Sequence, residues 1–173
     1  MTTKINIDIN NEFDNWNINE KEIINTSTKI FNHYLKCPEI ISNSAIYGYK
    51  YNTLSFDILF CSQEKTHEIN REYREKDYPA DIITFAVFAD SPKNERFVLD
   101  LEINLGEIII ALDKIIEQAK EKGIDKYSEL KFFISHGILH LLGFDHQSEE
   151  DFNFVVSHQK SALKGIGIKY DKV

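Results

Sequence analysis

The chain has 173 residues, of which 42% are apolar, and a formal net charge of −8. That length suits one domain with one core, and that apolar share excludes a disordered chain. The acidic balance excludes broad, non-specific nucleic-acid binding, though not a local basic groove, and no DNA partner is expected.

No membrane span is expected, because the longest strongly apolar run, from Ile82 to Ala89, is far too short to cross a bilayer. The first twenty residues carry Asp8, Glu12, Asp14 and Glu20 without an apolar block, so no signal peptide is visible. Cys37 and Cys61 stand far apart, in no metal or redox spacing, and two buried thiols in a reduced cytoplasmic setting are expected.

In chain order, residues 3–9 alternate polar and apolar and predict a first strand. Asn19 with Glu22 forms a capping box for a helix with Ile23, Ile24, Ile30, Phe31, Tyr34 and Leu35 at helical spacing, which must stop before Pro38. Residues 53–60 predict a strand with Leu54, Phe56, Ile58 and Phe60 on one face, and Ser62 can cap a helix running to about Lys76. The run IITFAVF after Pro79 predicts a strand covered on both faces, residues 90–100 a loop, and residues 105–110 a further strand. A helix with Leu112, Ile115, Ile116 and Ala119 inward ends at Gly123, another covers 126–142, and Ser148 with Asp151 caps a last one ending near Gly165. With no linker or repeat, residues 1–173 predict one α/β (α+β) domain. It has a small mixed sheet of about four strands, about five helices, and the histidine-bearing helix packed centrally.

That helix carries the chemistry. His136 and His140 lie one turn apart on one face, about 40° from each other, so both imidazoles can reach one ion. His146 would point elsewhere in a continuing helix, but Gly143 can take a left-handed conformation, end the helix, and let Gly143-Phe144-Asp145 turn His146 back. The alternative is an amphipathic core helix with incidental histidines, which Phe133, Ile134, Ile138, Leu141 and Leu142 would fit. Three histidines in one apolar neighbourhood nevertheless need partners for every ring nitrogen, and a shared metal supplies them. Three neutral histidines around one Zn2+ leave a fourth position for a reactive water, which points to hydrolysis.

The spacing H-x-x-x-H-x-x-G-x-x-H is also that of metzincin peptidases, which carry a glutamate after the first histidine and a methionine turn. Here Gly137 takes the first place and Met1 is the only methionine, so a peptidase is disfavoured.

HGILHLLGFDH resembles the H-G-x-L-H-L-x-G-x-D-H signature of the YbeY family of bacterial ribosomal-RNA maturation endoribonucleases. INREYREKDYPADIITF resembles that family's L-N-x-x-Y-R-x-x-D-x-P-T-D-V-L-S-F, and LGEII its L-G-D-I, in the same order across roughly residues 50–150. Ala80 stands where threonine is usual and Glu107 where aspartate is usual. The resemblance implies a cytoplasmic zinc endoribonuclease of single-stranded RNA, with one ion on the three histidines. Its implied substrate is the 3′ end of precursor small-subunit ribosomal RNA, with a role in ribosome quality control.

Through the same resemblance Arg74 is the expected phosphate contact and catalytic partner of His136, since a guanidinium can hold a phosphodiester by two parallel hydrogen bonds. Arg71 and Lys76 either extend a small basic rim that contacts RNA or are ordinary surface. Asp145 is expected to bond a ligand histidine or cap the turn, and Glu107 to shuttle a proton or solvate a strand end. Asp77 and Asp81 brace the Pro79 loop or face the cleft, and His33, His67 and His158 belong to no spacing pattern and are read as non-functional. Water or the RNA 2′-hydroxyl remains open as nucleophile. Net acidity predicts recruitment to RNA with help from the ribosome or its proteins. A non-catalytic ribosome-assembly factor with a structural metal is the alternative to an enzyme.

Overall fold

The computed structural model describes residues 2–172. Strand β1 (Lys4–Asn11) is followed by helix α1 (Glu20–Leu35), whose N-cap Asn19 side chain accepts from the Glu22 backbone N–H as the sequence predicts. Cys37 is extended, as the residue before a proline must be, and the long helix stops there. Pro38 then opens a short helix, α2 (Pro38–Asn43), because a proline ring suits the first helical position. This helix was not expected and brings the α-helices among the described residues to six.

The remaining elements are β2 (Thr53–Cys61), α3 (Gln63–Arg74), β3 (Ile82–Phe85), β4 (Glu102–Ala111), α4 (Leu112–Lys122), α5 (Lys126–Leu141) and α6 (Glu149–Lys164), with one 3-10 turn, Lys93–Glu95, in the loop between β3 and β4. The sheet has the order β1-β2-β4-β3, parallel except for antiparallel β3 at the edge, so the expectation of a small mixed four-stranded sheet holds. Helix α5 packs against α1, α4, α6, β3 and β4, which makes it the central helix.

Three expectations are corrected. Ser62 makes no side-chain cap; the Asp113 carboxylate of α4 accepts from the Gln63 N–H at 2.9 Å instead, a partner 50 residues away. Helix α3 ends at Arg74, where Glu75 turns left-handed, rather than near Lys76. The IITFAVF run is a strand for only four residues and lies at an edge. The backbone of 85–87 presses on Gly106, where a Cβ would stand 1.9 Å from the Phe85 carbonyl oxygen, and the chain leaves the sheet. The rest of the run is apolar because Ala86 and Phe88 return to the main core, while Val87 is exposed.

The two sheet faces carry different packing. Leu54, Phe56, Ile58, Ile103, Leu105, Ile108 and Ile110 meet α1 and α5 in the main core. Cys61, Ile83 and Ile109 face the other way, against Ile69 of α3. Fully burying each such aliphatic side chain contributes about 1.5–3 kcal/mol. No helix among the described residues is long and apolar enough to cross a membrane.

Candidate metal centre

Helix α5 is fixed on the sheet before any ligand is considered. Leu130, Ile134, Ile138, Leu139 and Leu141 are buried, and the Tyr34 hydroxyl of α1 donates to the Ser135 carbonyl at 3.1 Å. Gly137 sits directly over Ile108, where a Cβ would meet that side chain at 2.8 to 3.0 Å. The missing side chain that argued against a peptidase therefore also lets α5 approach β4 closely.

The C-terminus of α5 closes as the sequence predicts. Gly143 has φ of +98°, its N–H donates to the His140 carbonyl, and the Phe144 N–H donates to the Leu139 carbonyl, the two bonds of a Schellman motif. The Ala45 N–H donates to the Leu142 carbonyl at 2.7 Å and anchors the turn. The chain reverses, and His146 returns beside His136 and His140, with ring centroids at 5.2 and 5.4 Å. One nitrogen from each of the three rings lies within 4.8 Å of the others.

The buried Gln159 of α6 orders the protons. Its amide nitrogen donates to the Phe132 carbonyl and the Ser135 hydroxyl, which turns its oxygen towards His136 Nδ1 at 3.3 Å. Nδ1–H of His136 therefore donates to Gln159, and Nε2 keeps its lone pair. The two Nε2 atoms of His136 and His140 face each other at 2.8 Å, an approach that one cation shared by their lone pairs would satisfy. Burial, then the neighbouring His140, lowers the His136 pKa to about 4. Burial, then His146, lowers that of His140. Both rings are neutral near pH 7, the state that ligates a metal, and the donor set fits a borderline-soft divalent ion such as zinc.

The other predicted residues are distributed unequally. Asp145 caps the turn: its carboxylate accepts from the His146 backbone N–H at 2.7 Å and from the Gln147 side chain, with no bond to a ligand ring. Glu107 pairs in register with Asp57 and points, by strand alternation, to the sheet face opposite α5. Burial, then Asp57, then Glu12 raise its pKa. The expected proton shuttle is thus not brought to the histidines, because β4 turns this side chain away from α5.

Arg74 stands exposed at the end of α3, on that same far side, and donates to Asn70 at 3.2 Å. The buried Asn70 in turn donates to the Tyr78 carbonyl, so it ties Arg74 to the Pro79 loop. Arg71 pairs with Asp77, which also meets His67, and Lys76 lies over the Tyr78 ring. Asp81 braces α4 by accepting from Gln118.

Sequence reasoning missed Gln159. The signal was present: it is a polar residue in the apolar stripe Val155, Ala162, Leu163 of α6. A surface cleft beside Gly143, lined by Tyr47, Tyr49, Lys93 and Arg96, was also not foreseen.

A family model described as "Endoribonuclease YbeY" matches residues 8–167. A relative named Endoribonuclease YbeY from Geobacillus sp. (strain WCH70) is 36% identical over 166 residues, covering 95% of this chain and 97% of its own. Another of that name from Bacillus licheniformis is 41% identical over 112 residues, 64% of this chain and 71% of its own. The solution structure of TM1509 from Thermotoga maritima matches 93% of this chain and 91% of its own, at a TM-score of 0.56 and 22% identity, a likeness of fold.

Proposed function

The chain belongs to the YbeY endoribonuclease family, and from that membership we propose a single metal-dependent domain that cuts single-stranded RNA with one zinc ion on His136, His140 and His146. It is an endoribonuclease of ribosomal-RNA maturation. The finer proposal is that its substrate is the 3′ end of precursor small-subunit RNA, met on the ribosome in the cytoplasm. The carrying observation is the convergence of three histidine nitrogens within 4.8 Å at the end of the central helix, with His146 exposed so that a strand can approach.

A divalent ion held there would supply Lewis-acid polarisation of a phosphodiester oxygen or an attacking water. Gln159 holds the proton on His136 Nδ1 and so keeps Nε2 facing the site. Asp145 fixes the turn that returns His146. The cleft beside Gly143 offers Tyr47 for base stacking and Lys93 for phosphate, the combination single-stranded RNA requires. Arg74, carried by α3 on the other side of the sheet and braced by Asn70, is assigned to a phosphate of the RNA away from the ion rather than to the scissile one.

The test compares cleavage of a single-stranded RNA by wild type, His140→Ala and Arg74→Ala, with a chelator control and elemental analysis. His140→Ala should lose both metal and cleavage while remaining folded. Cleavage retained by a metal-free, folded His140→Ala protein refutes the metal reading. Ribosome binding without any cleavage by zinc-loaded wild type would identify an assembly factor instead. Products ending in a 2′,3′-cyclic phosphate would assign attack to the RNA hydroxyl.

A further inference from the structure

Away from the three-histidine centre, the fold collects a second set of ligating atoms that the spacing of the sequence conceals. Cys37 is the residue before Pro38 and caps α2, Glu39 lies in the first turn of α2, and His158 projects from the middle of α6. The Cys37 sulfur, a Glu39 carboxylate oxygen and a His158 ring nitrogen lie within 4.8 Å of one another. Cys37 is half-buried rather than fully buried as its residue type suggests, and Glu39 is exposed, so an ion has access from solvent.

The spacing fits ligands better than an ion pair. Glu39 Oε2 and His158 Nε2 are 3.5 Å apart. A charge-assisted hydrogen bond would draw them to about 2.7–2.9 Å. Two ligands bound at about 2.0–2.1 Å in a tetrahedron stand about 3.3 Å apart, close to what is seen. The Phe154 ring lies 4.4 Å from the His158 ring and fixes its rotamer from one turn away on the same helix.

We propose that Cys37, Glu39 and His158 form a second site for a thiophilic divalent transition metal of the zinc class, linking the α1–α2 corner to α6. Solvent completes the coordination. On binding, the Cys37 thiol releases its proton to water and the thiolate donates to the ion. The site would hold the α6 register that presents the adjacent Gln159 to His136.

Cobalt(II) and zinc added to the full chain read this out directly. A thiolate–cobalt pair gives a charge-transfer absorption in the near ultraviolet that an all-imidazole site lacks. Wild type should show it and should retain about two zinc ions per chain after dialysis, one at each site. Cys37→Ser and His158→Gln should each lose the band and fall to about one zinc, with unchanged circular dichroism. A wild type with one zinc and no thiolate band overturns the proposal. So does a band that survives undiminished in His158→Gln, which would mean a solitary thiol.

Discussion

Replacing Gln159 with leucine tests how the metal centre is organised. Gln159 is 1% exposed, and its oxygen is the acceptor for His136 Nδ1–H at 3.3 Å. Leucine has similar volume, so the change leaves little cavity but strands that N–H. The Phe132 carbonyl keeps a partner, because the Ser135 hydroxyl donates to it at 2.6 Å. The damage is therefore confined to the ligand. Leaving one buried donor unpaired costs about 1–3 kcal/mol of stability. Losing an outer partner of a ligating histidine typically weakens metal binding about 10–100-fold, or about 1.4–2.7 kcal/mol. Zinc affinity by competition with a chromophoric chelator, together with the melting temperature of the metal-free protein, measures the two effects separately. Gln159→Glu keeps an acceptor towards Nδ1–H and should retain affinity. A folded Gln159→Leu protein that binds zinc as tightly as wild type refutes the reasoning.

Gly137→Ala forces a methyl into the Ile108 side chain and should destabilise by about 1–3 kcal/mol in denaturant unfolding, by overpacking rather than lost chemistry. Gly143→Ala puts a side chain at φ of +98° and 3.3 Å from Ala45; about 1–3 kcal/mol of strain and weaker zinc binding should follow, and unchanged zinc affinity would remove the turn from the account of the site. Glu107 has its pKa raised by burial and by Asp57 and Glu12, so the folded state holds the proton more tightly than the unfolded one. Stability is then complete below about pH 4.3, the ordinary glutamate pKa, and is lost as pH rises through the folded value. Glu107→Gln should accordingly melt higher than wild type at pH 7, with the gap closing on acidification; a gap that widens in acid contradicts the assignment.

The histidine centre was largely legible because its decisive contacts are local. His136 and His140 share a face by helical periodicity, and Gly143 ends the helix by a backbone property of glycine alone. Asn19 and Ser148 cap as their positions demand, since each reaches only three residues ahead. Such hydrogen bonds close within one turn, so the chain order already contains both partners.

What the sequence could not determine depends on residues far apart in the chain. Asp113 replaces Ser62 as the cap of α3, and β3 breaks off where its backbone crosses Gly106. Glu107 belongs to a quoted motif yet faces away from α5, because strand alternation decides its side of the sheet. Gln159 reaches His136 across 23 positions, and His158 meets Cys37 across a helix–helix contact. The sequence by itself determined which three histidines share the site and how the third one returns. Only tertiary packing decided which groups stand behind them, because those contacts exist only once α6 lies against α5 and the sheet has assigned each residue a face.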